Sequence, residues 1–293
     1  GNLNLGKKGD FVTSPSLGAD FARILAVQLA DWLEQLQSYK INNLPLSLIE
    51  VGPGEGDLSF ELIRALSDIS PSIIGNLELV MVDINEGMIR RQKERLSSLS
   101  NIPIRWVSLE ELSINPVVGI ILAHEVLDAF PVERVICRDK RLVRQGVKLQ
   151  NINSNYSLAF VDLPLTKAID RFLIDTQDLF GIQTPPYEVD NGWTTELHVN
   201  LDPWLAKASK ALLCGSLLVI DYALEARRYY NNARRFGTLM CYKNQVASTK
   251  YFDNPGYSDI TSHLCIDTLK YFSGKYNWKF LGEVRQGQAL LAL

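Results

Sequence analysis

The chain has 293 residues, 46% hydrophobic and 22% charged, with a formal net charge of −3. That composition suits a globular protein with a substantial core and excludes a polybasic, sequence-independent nucleic-acid binder. Cys137, Cys214, Cys241 and Cys265 lie too far apart for a zinc knuckle or a disulfide framework, and no apolar run approaches a membrane span or a secretory leader.

The first fifteen residues are polar and glycine-rich and read as loop. Within Gly9–Pro15, Ser14 before Pro15 suits a helix N-cap. Thr13 and Ser14 suit a lid over a bound ligand equally well. An amphipathic helix follows over Leu17–Leu36, and Asn42, Asn43 and Pro45 lead to an apolar strand, Leu46–Ile49. That strand ends in Glu50 and gives way to Gly52-Pro53-Gly54-Glu55-Gly56, then to a helical pattern at Leu58, Leu62, Ile63 and Leu66. Strand, glycine turn and helix open a doubly wound sheet, where backbone can approach a nucleotide-like ligand. A pyrophosphate would want a bare helix N-terminus. Here Glu50, Glu55 and Asp57 crowd the turn with negative charge, and Asp57 stands where a dinucleotide fingerprint has its third glycine. A ligand with adenosine at one end and a sulfonium and ammonium at the other fits better, which is S-adenosyl-L-methionine. Glu50, Gly52, Pro53 and Gly54 are expected to bind it.

Leu77–Val82 is the second strand. It ends in Asp83, a carboxylate suited to both ribose hydroxyls, with Ile84 beside it on the cofactor side. After a helix over Met88–Leu99, Ile102–Val107 reads as the third strand. Ser108 and Leu109 then fall near the adenine, although Ser108 with Glu111 also makes a capping box. The fourth strand, Pro116–Ala123, is apolar throughout, as a strand covered on both faces should be. It runs into His124-Glu125-Val126-Leu127-Asp128, where His124 meets the cofactor and Glu125 and Asp128 can share one face of a turn. The second histidine of a zinc-protease motif is missing, so no metal is expected.

From Val132 to about Asn200 the alternation breaks down. Val135–Val143 and Ser157–Leu163 read as strands, Thr166–Phe180 as a helix, and Val189–Leu201 as the entry to a strand pair. The sheet resumes with a helix over Asp202–Leu213 and a fifth strand over Gly215–Tyr222. Basic and aromatic residues interleave from Arg227 to Lys243. Asp259-Ile260-Thr261-Ser262-His263 is expected at a helix start, with His263 a third catalytic candidate. Trp278–Val284 and Gln288–Leu293 read as a terminal antiparallel hairpin. The resulting plan is an N-terminal part of the core at 1–131, an insertion forming a substrate wall at 132–200, and a C-terminal part of the core at 201–293. That last part carries a second insertion at about 223–260.

Six stretches carry a resemblance over nearly the whole chain. They are G-D-F-V-T-S-P at Gly9–Pro15, E-V-G-P-G-E-G at Glu50–Gly56, H-E-V-L-D-A-F-P-V at His124–Val132, I-D-Y at Ile220–Tyr222, G-T-L at Gly237–Leu239 and D-I-T-S-H at Asp259–His263. Together they resemble the MidA family of S-adenosyl-L-methionine-dependent methyltransferases. The resemblance implies an α/β, Rossmann-like class I methyltransferase sheet with substrate-side insertions. Mitochondrial members are complex I assembly factors that dimethylate an arginine on a core subunit, so a protein-arginine methyltransferase with a protein partner is implied. The implied location is the cytoplasm for a bacterial-type protein, or the mitochondrial matrix for a eukaryotic one. Family members usually carry Asn where His124 stands and Glu where Ser16 stands, and an N-terminal piece that helps close the site is expected before this chain. No nucleic-acid partner or membrane insertion is expected, and a homodimer is left open. The alternatives are a small-molecule or nucleic-acid methyltransferase on the same sheet, or a non-catalytic assembly factor that keeps the fold.

Overall fold

The computed structural model describes residues 19–39, 41, 44–152, 155–253 and 255–293. In chain order the elements begin with α1 (Ala19–Ser38), β1 (Leu46–Val51), α2 (Asp57–Ile69), α3 (Pro71–Ile74), β2 (Leu77–Val82) and α4 (Glu86–Leu96). Next come β3 (Ile104–Val107), α5 (Leu109–Ile114), β4 (Val117–His124), β5 (Glu133–Arg138), β6 (Arg141–Ile152) and β7 (Asn155–Leu163). They continue with α6 (Lys167–Phe180), β8 (Thr194–Leu197), α7 (Leu201–Ala211), β9 (Leu212–Ile220), β10 (Ala223–Leu224) and α8 (Ala226–Tyr229). The last are β11 (Met240–Lys243), β12 (Val246–Ser248), β13 (Asp259–Thr261), β14 (Leu264–Cys265), α9 (Ile266–Lys275) and α10 (Gln286–Ala292).

The chain divides into two compact units. The first takes in the chain up to Val126, then Trp204–Asp221 and Asn277–Leu293; the second takes in Leu127–Pro203 and Tyr222–Tyr276.

The first unit is a five-stranded sheet in the order β3-β2-β1-β4-β9, parallel at every pairing. β1 is buried along its whole length, and its alternate residues serve opposite faces. Leu46 and Leu48 join a core with Leu79, Met81, Ile120 and Leu122, beneath Leu25, Leu29 and Leu33 of α1 and Leu58, Leu62 and Leu66 of α2. Ile49 and Val51 join Val80, Val82 and Ile121 on the other face, against Leu109 and Leu112 of α5 and Ala208 and Ala211 of α7. Two buried faces require apolar residues at consecutive positions, so these strands carry no polar alternation. Strand order reverses between β1 and β4, which is where doubly wound sheets leave a crevice at the carboxyl ends of their strands.

The terminal hairpin expected from the sequence is absent among the described residues. Residues 277–285 make no strand pairing, and α10 covers 286–292. Gln-Ala-Leu-Leu-Ala has high helix propensity, and Leu290 packs against the core beneath α1 and α2.

The second unit holds a four-stranded antiparallel sheet, β7-β6-β5-β8, a three-stranded sheet, β12-β11-β13, and the short pair β10-β14. The expected single strand over Val135–Val143 is two strands joined at Asp139 and Lys140, both left-handed at φ 47° and 64°. That backbone suits a two-residue hairpin turn, but without glycine the sequence does not announce it. Asp259–Thr261 is a strand paired with β11 rather than a helix start, and the helix begins at Ile266. Pairing with β11 takes up the backbone groups that the first helical turn would have used.

Candidate active site

In the first unit, register sets the site. Val51 lies opposite Val82 and Ala123, so Gly52, Asp83 and His124 leave their strands at one level of the sheet's rim. The Gly52 amide donates to the Val82 carbonyl at 3.0 Å. Gly52 has φ +61°, and a Cβ there would stand 2.5 Å from Val126 Cγ2. Only glycine meets both demands. Gly56 caps α2 with no side-chain hydrogen bond.

Each of the three acids has a partner within the protein. Glu50 is buried on the α2 side, where the Ser59 hydroxyl donates to it, and burial pushes its carboxyl up to about 7. Asp57 pairs with Arg95 at 2.5 Å, and Glu55 with Arg91 at 3.4 Å. Beside the backbone turn the rim presents a carboxylate and apolar surface.

That carboxylate is Asp83. One oxygen accepts the Asn85 amide at 2.9 Å, and the other accepts Gln92 Nε2 at 2.7 Å. Gln92 is fully buried. It also donates to the Gly54 carbonyl at 2.8 Å and accepts Trp106 Nε1 at 3.0 Å. One amide thus joins the turn after β1, the acid after β2 and an indole on β3. The sequence contains one trace of it: Gln92 falls on the buried stripe of α4 with Met88 and Leu96, where a polar residue needs partners. Next to Asp83, Ile84 is 96% exposed. An apolar side chain bared beside a carboxylate and a glycine turn fits a nucleoside, apolar at its base and hydroxylated at its ribose.

Ser108 makes the capping box of α5, accepting the Glu111 amide at 3.1 Å while Glu111 accepts the Ser108 amide at 2.6 Å. Leu109 is buried in the core between β-sheet and α5. His124 is buried at the end of β4, 5.4 Å from the Phe21 ring, and burial presses its imidazole down to about 4. Glu125 follows with a left-handed backbone, φ 47°. Its amide donates to the Ile220 carbonyl at 2.8 Å, and its carboxylate lies 3.9 Å from His124 Nε2. Pro53 is buried within the turn. Thr13 and Ser14 lie outside the described residues, as do Ser16 and the Gly9–Pro15 motif.

Asp128 and His263 belong to the second unit, and Glu125 to the first. The Asp128 carbonyl accepts the Ser262 amide at 2.9 Å, which joins Asp128 to the D-I-T-S-H stretch within that unit. The His263 amide donates to Thr238 Oγ1 at 3.1 Å, and its ring stacks on Tyr222 with centroids 6.2 Å apart. Burial, aided by the charge of Arg234, lowers the His263 pKa. A second imidazole, His198, is fully buried beside Ser262, with Nε2 and Oγ 3.3 Å apart. Among the described residues no three His, Cys, Asp or Glu side chains cluster as metal ligands would. No helix among them is long and apolar enough to cross a membrane.

Residues 24–284 match the profile of a protein family described as "Putative S-adenosyl-L-methionine-dependent methyltransferase". Among curated proteins, the zebrafish (Danio rerio) mitochondrial protein arginine methyltransferase NDUFAF7 is 27% identical over 299 residues, spanning 93% of this chain and 64% of its own length. The Rattus norvegicus protein of the same name is 27% identical over 152 residues, 44% of this chain and 33% of its own length. The chain thus spans less than two thirds of these relatives. A solved COG1565 superfamily member from Burkholderia thailandensis, bound to S-adenosyl-homocysteine, superposes with TM-score 0.80 at 27% identity, covering 98% of this chain and 69% of that one.

Proposed function

Because the chain belongs to this family of S-adenosyl-L-methionine-dependent methyltransferases, we propose that it methylates arginine on a partner protein. The name of the zebrafish relative supports the arginine. The family resemblance supports a subunit of an NADH-dehydrogenase-like complex as the partner, with a role in that complex's assembly. The observation that carries the cofactor assignment is the rim of the parallel sheet, where the Gly52–Gly56 turn and Asp83 are clasped by one buried amide beside the bared Ile84.

Glu50, Gly52, Pro53, Gly54, Asp83, Ile84, Ser108, Leu109 and His124, together with Thr13 and Ser14, are the proposed cofactor residues. When bound, S-adenosyl-L-methionine supplies a methyl carbon on a sulfonium, whose sulfur becomes a neutral thioether as the S–CH3 bond breaks. The rest falls to the protein, chiefly orientation and exclusion of water. Asp83 would hold the ribose hydroxyls, and the backbone of the Gly52–Gly56 turn would lie against the bound cofactor. An arginine stays protonated in water, so its nitrogen must give up a proton as the N–CH3 bond forms. Glu125 and Asp128 are each a proposed acceptor of charge-assisted hydrogen bonds from a guanidinium and of that proton, and His263 is a further proposed proton carrier.

Isothermal calorimetry with S-adenosyl-homocysteine, combined with mass spectrometry of methylated peptides from cells with and without the protein, tests this proposal. Glu125→Gln and Asp128→Asn are expected to keep the product's affinity within about three-fold and to lower turnover by at least ~10-fold. Asp83→Ala is expected to weaken product binding itself. Unchanged turnover in both carboxylate variants overturns the assignment of the acids. Methylated peptides without arginine overturn the acceptor.

A further inference from the structure

The second unit is built around a buried carboxylate that has no place in the chemistry above. Glu196 on β8 is wholly buried and sits opposite Arg134 of β5 in the sheet register. Its Oε1 is 3.5 Å from Arg134 Nε, and that guanidinium lies over the rings of Phe160 and Tyr251, 5.0 and 5.2 Å from their centroids. Its other oxygen, Oε2, accepts the Thr238 amide at 2.7 Å and the Thr238 hydroxyl at 3.2 Å. The approach depends on Gly237, whose φ is +74° and where a Cβ would collide with the Glu196 carboxylate.

The Thr238 hydroxyl has one proton and two lone pairs, and the structure uses all three. It donates to Glu196, accepts the His263 amide at 3.1 Å, and faces the Tyr229 hydroxyl at 3.0 Å. One residue earlier, the Ser262 amide holds the Asp128 carbonyl at 2.9 Å. A short run of hydrogen bonds therefore leads from one buried acid to the main chain at both His263 and Asp128.

We propose that Glu196 is a positioning residue: through Thr238 it fixes the main chain at Ser262 and His263, and with it the turn that carries Asp128. This rests on the assignment of Asp128 and His263 to the methyl-transfer chemistry. A buried ion pair is a poor source of net stability, and a leucine or methionine at 196 would fill the space without charge. A carboxylate can instead take an amide and a hydroxyl on one oxygen and so orient the hydroxyl's lone pairs toward His263.

Amide hydrogen exchange on the full chain and labelling with tritiated S-adenosyl-L-methionine test the proposal together, the label acceptor being total protein from cells that lack this chain. Thr238→Val removes the hydroxyl and keeps the shape, Thr238→Ser keeps the hydroxyl, and Glu196→Asp withdraws the acid by one methylene. Exchange at the His263 amide should rise by about 10-fold in Thr238→Val and Glu196→Asp and stay within about two-fold of the parent in Thr238→Ser. The kcat should fall by about 10-fold in the first two variants with product affinity unchanged, recover in Thr238→Ser, and fall no further when Thr238→Val and Glu196→Asp are combined. Thr238→Val leaves the Arg134 pair intact and so remains informative where Glu196→Asp does not fold. A parent protein that labels nothing refutes the protein-acceptor reading, and the His263 exchange then decides the positioning role alone. Unchanged exchange, or additive losses in the double variant, overturns it.

Discussion

His124 shows what burial does to a single ionisable group. Its imidazole falls from 6.5 to about 4 because charge is disfavoured away from water. A base whose folded pKa lies below its unfolded one weakens the fold as pH drops through the interval between them. Here that interval runs from 6.5 down to about 4, and the full effect is about 3 kcal/mol. His198, also held near 4, acts in the same direction. Glu50 acts in the opposite one: raised from 4.5 to about 7, it weakens the fold above that pH and relieves it as pH falls toward 4.5. His124→Asn is therefore expected to flatten the acid-side loss of stability by about 3 kcal/mol, read by urea denaturation at pH 7 and pH 4. Equal losses in parent and variant would mean that His124 takes up its proton in the folded state. At this scale the sequence is only partly legible. Asp83 and the glycines can be named because strand ends and turns have local rules. Gln92 and Glu196 cannot, because their partners lie elsewhere along the chain and only the fold supplies them.

Elements with their own punctuation are the ones that local rules identify. Thr166 is legible as a helix start, and it caps α6 by accepting the Ile169 amide at 3.3 Å. Ser108 and Glu111 likewise spell out a capping box in the sequence alone. Asp139-Lys140 lacks glycine, and the alanine–leucine run at the chain's end follows its helix propensity rather than the strand period assigned to it, so those two elements differ from the expectation. The capping box gives α5 a test of its own. Ser108→Ala removes an acceptor from the Glu111 amide and should cost about 1 kcal/mol in chemical denaturation. A loss far below that would mean the box contributes little to the fold. Calorimetry with S-adenosyl-homocysteine on the same variant separates the cap from a cofactor contact, since loss of the cap alone leaves affinity within about two-fold.

At the scale of the whole molecule, tryptophan reports unevenly on the two units. Trp32, Trp106, Trp204 and Trp278 fall in the first, and only Trp193 in the second. A ligand that binds only the folded first unit raises its stability by about 2.7 kcal/mol at one hundred times its dissociation constant. Saturating S-adenosyl-homocysteine should therefore move the fluorescence-detected melting transition upward by several degrees, and an unmoved transition would count against a cofactor site on the sheet rim. The parallel core is readable from the residues because two-sided burial writes itself as unbroken apolar runs. The second unit is less readable: β6 and β7 are long but only partly buried, and β8, β11 and β13 are three or four residues long and lie far apart in sequence.

The first unit's sheet is threaded discontinuously: β4 ends at His124, while its neighbour β9 begins only at Leu212. On a ribosome releasing roughly 5–20 residues per second, one flank of β4 must wait for several seconds before the strand that zips onto it has emerged. During that wait, newly made chains expose the unpaired edge of a largely apolar strand, the kind that recruits illegitimate partners. Yield in the cell should therefore depend on translation speed and chaperone supply through the stretch from 125 to 211 more than on the stability of the finished protein.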